Sequence, residues 1–173
     1  MIFTSNIEII KNLTSKFIEL EKNEFDWTTE YLNIDDNSKW LKVHLRTENH
    51  GGGYPILLQK NLLSVDFLIK TILKSKDIEG VSAGAALLEY MEKNDNIEFR
   101  LQLIENLENY YYQEKFNCSK FEKKRLKAIV INSSIFDDTN RREIVGKNNE
   151  EINADSNFFK EIAERVEKLI NCS

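Results

Sequence analysis

Residues 23–49 read NEFDWTTEYLNIDDNSKWLKVHLRTEN, and the fold class turns on them. Trp40, Leu41, Val43 and Leu45 fit two patterns, a short strand or the apolar side of a helix starting at Asn37 or Ser38. The composition of the whole chain tips the choice. Its 173 residues include one proline, Pro55, and six glycines, three of them consecutive at Gly51 to Gly53. Sheet proteins use turn residues often, so this scarcity favours long helices joined by polar loops. On that ground the stretch is read as helical and the chain as mostly α, a compact multi-helix domain over residues 1–173.

The flanking segments carry the same period. In SNIEIIKNLTSKFIELEK, residues 5–22, Ile7, Ile10, Leu13, Phe17 and Leu20 recur three or four apart, which predicts one helix capped by Ser5. Beyond the glycines, YPILLQKNLL is apolar, and Ser64 then caps a stripe of Val65, Leu68, Ile69, Ile72 and Leu73. Asp77 caps a second helix, IEGVSAGAALLEYMEKN, whose small residues Ser82 to Ala86 let a neighbouring helix approach closely. Another helix is expected from Asp95, with Glu98 as its capping-box partner, and another within KFEKKRLKAIVINSSIF. Residues 137–155 are polar and read as a long loop, before a last helix from Asp155 or Ser156.

A chain that is 41% hydrophobic and 31% charged is a folded one, outside the compositional range of disorder. Cys118 and Cys172 are too few for a disulfide framework and are read as free thiols. The first residues lack the basic start and apolar core of a signal peptide, and no stretch reaches 18 apolar residues, so a cytoplasmic protein with no membrane partner is expected. Net charge is -5, and residues 1–36 alone hold eight acids against three lysines. Such a face repels phosphate backbones and steers basic proteins. The cluster Lys120, Lys123, Lys124, Arg125 and Lys127 is read as the solvated side of a helix, with nucleic-acid contact as the lesser reading.

Two glycine motifs suggest a hydrolase. His50-Gly51-Gly52-Gly53 has the outline of an oxyanion loop, and Gly80-Val81-Ser82-Ala83-Gly84 that of a nucleophile elbow. The residues before Gly80, LKSKDIE, are too charged for a central strand, and both histidines, His44 and His50, precede Ser82. The histidines, with Glu48 between them, also lack the spacing that brings two imidazoles to one helix face. No catalytic, cofactor or metal residues are therefore assigned, and a small metal- or ligand-binding enzyme using His44 and His50 stays only as an alternative.

From Ser64 to Asn94 the chain resembles a HEAT-type helical hairpin, through Asp77 at the turn, then Val81, Ala85-Ala86 and Leu88. Ser82 stands where such repeats often carry Arg. Over residues 50–108 the order GGGYP, an apolar segment, KSKDIEGVSAGAALLEYME and FRLQLIENLE is similar to small immunity proteins of bacterial polymorphic and contact-dependent toxin systems. The resemblances imply HEAT-like antiparallel hairpins and a non-enzymatic inhibitor that binds a cognate toxin domain. The acidic balance agrees with a basic partner. Trp27, Asp35, Asp36, Trp40, Tyr111, Asp137 and Asp138 are the expected contact residues, the aromatics as anchors and the acids as steering charge. The alternative is a HEAT-like scaffold module in a larger assembly, holding a helix or another subunit through an apolar groove.

Overall fold

A computed structural model describes residues 3–45, 53–60, 64–113 and 119–171. The chain divides into two compact units, Met1–Ser64 and Val65–Ser173.

The first unit overturns the mostly α reading: it is built on an antiparallel sheet, and the chain is α+β. Its elements are β1 (Phe3–Thr4), α1 (Ile7–Thr14), β2 (Ile18–Asn23), β3 (Thr28–Leu32), β4 (Lys39–Leu45) and β5 (Tyr54–Gln59). The strands lie side by side in the order β1-β5-β4-β3-β2. Thus residues 39–45, expected in a helix, form the central strand, pairing Trp40 with Tyr31 on one side and with Gln59 on the other.

Two physical facts misled the helical reading. First, β4 loses water on both faces. Trp40 is buried on one, and Val43 and Leu45 on the other, so the polar alternation of a half-buried strand is missing. Second, the β2–β3 and β3–β4 turns are built by asparagine and aspartate, with neither glycine nor proline. Asn23 Oδ1 accepts from the amides of Phe25 and Asp26, at 3.0 and 3.2 Å, in the β2–β3 turn. In the β3–β4 turn Asp36 Oδ1 accepts from the Ser38 amide at 2.9 Å. Asn37 there takes the left-handed conformation, φ 58°, that a short polar side chain tolerates.

The single helix expected over residues 5–22 is two elements. Asn6, the residue after the expected Ser5, caps α1, its Oδ1 accepting from Glu8 N at 3.0 Å and Ile9 N at 3.1 Å. The Thr14 and Ser15 hydroxyls donate back to the carbonyls of Ile10 and Asn12, at 2.8 and 2.9 Å, as the helix stops. The apolar stripe then changes use. Ile10 is buried with Tyr31, Trp40 and Leu57, against which Leu13 and Phe17 pack. Phe17 lies 5.6 Å from Trp40, ring centre to ring centre. Leu20 is instead exposed on the edge strand β2.

The second unit is helical: α2 (Val65–Lys74), α3 (Ile78–Asp95), α4 (Arg100–Gln113), α5 (Lys120–Ser133) and α6 (Asn149–Asn171). Asp77 caps α3 as read, accepting from Glu79 N and Gly80 N at 3.0 Å each. α3 packs along α2 and α5, and α4 packs along α6. Leu68, Ile72, Leu88, Leu103, Ile129 and Val166 are among the fully buried residues of this unit. α6 begins ahead of the expected Asp155, because Asn148 and Glu151 form a reciprocal cap. The Glu151 amide donates to Asn148 Oδ1 at 3.0 Å and the Asn148 amide to Glu151 Oε2 at 2.8 Å.

Trp40 is 6% exposed and Trp27 51%. In acrylamide quenching, Trp27→Phe should leave a blue-shifted, poorly quenched emission, and Trp40→Phe a red-shifted, readily quenched one. Equal quenching of the two variants would contradict the sheet core.

Candidate functional site

Four arginines fix the geometry of the helical unit. Arg100, at the start of α4, is buried and grips Glu92 of α3 through two hydrogen bonds, Nε to Oε1 at 2.7 Å and Nη2 to Oε2 at 2.9 Å. Its Nη1 donates to the Asp137 carbonyl at 2.7 Å, and its guanidinium lies 4.8 Å from the Phe159 ring centre. One side chain thereby ties together α3, α4, α6 and the loop after α5. Such bidentate pairing satisfies a buried charge only while both partners are present.

Arg142 extends the clasp. It donates to Glu98 at 2.6 Å and to Asp155 of α6 at 2.8 Å, and stacks 4.3 Å from the Phe158 ring centre. Lys147 reaches the other oxygen of Asp155 at 2.6 Å, and Arg141 pairs with Asp137. The polar segment after α5 is therefore pinned by ion pairs. Arg125 belongs to the same structural class. It is buried, bonded to both oxygens of Glu122, and donates to the Ser75 carbonyl at 2.7 Å, where it completes the C-terminal end of α2. The basic cluster of α5 thus loses its arginine to the interior.

Between α5 and α6 lies a groove of about 910 Å³. Leu126 and Val130 of α5 and Val166 of α6 line it, with Ile131, Phe136 and Ile170 about half exposed. Lys123 and Lys127 stand on the α5 rim, and Lys160, Glu164 and Glu167 on the α6 rim. An open strip of large apolar side chains edged by charge is the usual form of a protein-docking surface.

Two smaller hollows offer less. One of about 220 Å³ is lined by Arg100, Arg141 and Arg142, but carboxylates already hold these guanidiniums. Another, of about 430 Å³ in the sheet unit, carries Trp27, Lys22, Lys42 and His44; Lys22 is paired with Glu24 at 2.8 Å.

The expected contact residues are divided between the two units. Trp27, Asp35, Asp36 and Trp40 belong to the sheet unit, and Tyr111, Asp137 and Asp138 to the helical unit. Trp40 and Tyr111 are core residues; the Tyr111 hydroxyl donates to the Glu122 carbonyl at 3.3 Å. Asp35 and Asp36 are exposed in the β3–β4 turn, and Asp137 is engaged by Arg141. Asp138 alone of the seven lines the groove. Nor does the acidity of residues 1–36 persist through the sheet unit. Lys39, Lys42, Arg46 and Lys60 bring residues 1–64 to nine acids and seven bases. Lys60 pairs directly with Glu30.

Ser82 lies within α3, so the elbow motif is helical. His50, Gly51 and Gly52 lie outside the described residues, as do Cys118 and Cys172. Among the described residues no group of three metal-ligating side chains occurs, and no helix is long and apolar enough to cross a membrane. No family model, curated protein or solved structure matches the chain.

The groove residues carried a sequence signal. Lys123, Leu126, Lys127, Val130 and Ile131 keep helical spacing, as do Lys160, Ala163, Glu164, Glu167 and Ile170. The period shows an apolar stripe, but not whether the fold supplies a helix to cover it.

Breaking the clasp tests its role. Arg100→Met should destabilise the helical unit by about 3–5 kcal/mol in urea unfolding, and adding Glu92→Leu should recover much of that loss. The pH dependence follows from the carboxylates. Burial opposes ionisation of Asp137, but hydrogen bonds from Thr139 and the Arg141 guanidinium outweigh it and hold the carboxyl at about 2. Lys147 and Arg142 likewise lower Asp155. A depressed carboxylate stabilises the fold above its unfolded pKa, about 4, and loses that contribution as pH falls through the folded value. The urea midpoint should therefore fall between roughly pH 4 and pH 2, and less steeply in Asp137→Asn.

Proposed function

We propose that the chain is a non-enzymatic protein-binding module whose docking site is the α5–α6 groove. The carrying observation is the set of Ile131, Phe136 and Ile170, each about half exposed along one groove of about 910 Å³. Isolated surface apolar residues are ordinary, whereas a contiguous apolar groove edged by charge is the surface a partner dehydrates. Of the readings drawn from the sequence, this one favours an interaction module that holds its partner by apolar burial. The more specific reading, a cytoplasmic immunity protein whose partner is a toxin domain, draws on the resemblance over residues 50–108. Its acidic-surface form is supported less, since lysines of the same unit offset the acids.

The two modes of binding separate experimentally. The full chain is used to capture partners from its source cell, in parallel with Ile131→Glu, Phe136→Glu and the double variant Asp35→Asn/Asp36→Asn. The groove reading expects one protein captured by wild type and by the aspartate variant, even at roughly 0.5 M salt, where surface charge is screened. Each groove variant should bind it about thirtyfold more weakly, the ~2 kcal/mol of a hot-spot residue. Capture that survives both groove variants and fails in the aspartate variant would reverse the assignment.

A further inference from the structure

We infer that the groove takes an amphipathic helix of another protein, one whose apolar stripe is flanked by acids on one side and by bases on the other. The inference rests on the docking reading above and specifies its ligand.

The shape of the site selects a helix. From Lys123 to Ile131 the α5 wall runs about 12 Å, and from Lys160 to Ile170 the α6 wall runs about 15 Å, at 1.5 Å per residue. That length receives anchors at positions i, i+4 and i+7 of one helix, which span about 10 Å. An extended strand is a poor fit, because its backbone needs partners and the groove walls are helices whose own backbone groups are already bonded. A second copy of this chain docked through the same face would present the same concavity and leave the floor unfilled.

The rims specify the charge. Lys123 and Lys127 make the α5 rim basic, with the acid Asp138 only past the end of the helix, while Glu164 and Glu167 dominate the α6 rim despite Lys160. None of these lysines and glutamates takes part in an ion pair among the described residues. An anionic lipid surface would meet the glutamates unfavourably, whereas a helix with acids over α5 and bases over α6 complements both sides. Turning such a helix end for end exchanges its flanks. Rims of opposite sign therefore favour one direction of the bound helix over the other.

The test uses three helix-stabilised peptides of about 20 residues with one shared leucine stripe, measured by fluorescence anisotropy against the full chain. One has acidic and basic flanks, one has two acidic flanks, and one two basic flanks. The mixed peptide should bind about tenfold more tightly than either of the others at low salt, an advantage that shrinks as salt rises. In the double variant Lys123→Glu/Lys127→Glu, whose sites are exposed and which circular dichroism should show folded, the preference should pass to the doubly basic peptide. Equal binding of all three peptides would overturn the charge rule while leaving the groove a helix site. Absence of binding by all three would overturn the inference, and the Ile131→Glu capture experiment would then judge the docking reading separately.

Discussion

The helical unit is organised first around the buried guanidinium of Arg100. Arg100 is 1% exposed, and a cation so placed is tolerable only because Glu92 meets it with two oxygens and the Asp137 carbonyl with a third. Each acceptor comes from a different part of the chain, so satisfying the charge fixes the end of α3, the start of α4 and the exit from α5 at once. Phe159 closes over the same group from α6. The polar requirement of this side chain thus ties the exit from α5 and, through Phe159, α6 to one point, and the groove lies between these two helices.

Much of the helical unit was legible because its signals are local. Asp77 at the head of α3 does what a cap residue does, and α3 packs closely against α2 and α5; the capping box read at Asp95 is not formed, since Asp95 ends α3 and α4 starts at Arg100. The sheet was not legible for a reason equally physical. A strand dehydrated on both faces has no alternation to read, and turns closed by Asn23, Asn33 and Asp36 need no glycine. Residues 5–22 illustrate the same ambiguity within one segment, since Phe17 and Leu20 continue the helical period of Ile7, Ile10 and Leu13 although the chain has already turned into β2.

The candidate site was legible only in part. The α5 and α6 stripes are plain in the sequence, but exposure depends on tertiary placement, which periodicity does not encode. Trp40 and Tyr111 show the converse. Both have the chemistry of interface anchors, and both serve the interior, where a polar atom of each still finds a partner: Trp40 Nε1 donates to Ser38 Oγ at 2.8 Å, and the Tyr111 hydroxyl donates to a carbonyl. Charge counted along the chain misleads in a similar way, because lysines distant in sequence become sheet neighbours of the acids.

Strand β2 has a further consequence. It ends the sheet with all six residues exposed, carries Glu19, Glu21 and Lys22, and slips register between Glu19 and Glu21. A flat apolar ribbon in that position would template the addition of strand after strand from other molecules. Ionised side chains and a kinked backbone make such growth unfavourable, a safeguard for an edge whose outer amides meet no further strand among the described residues.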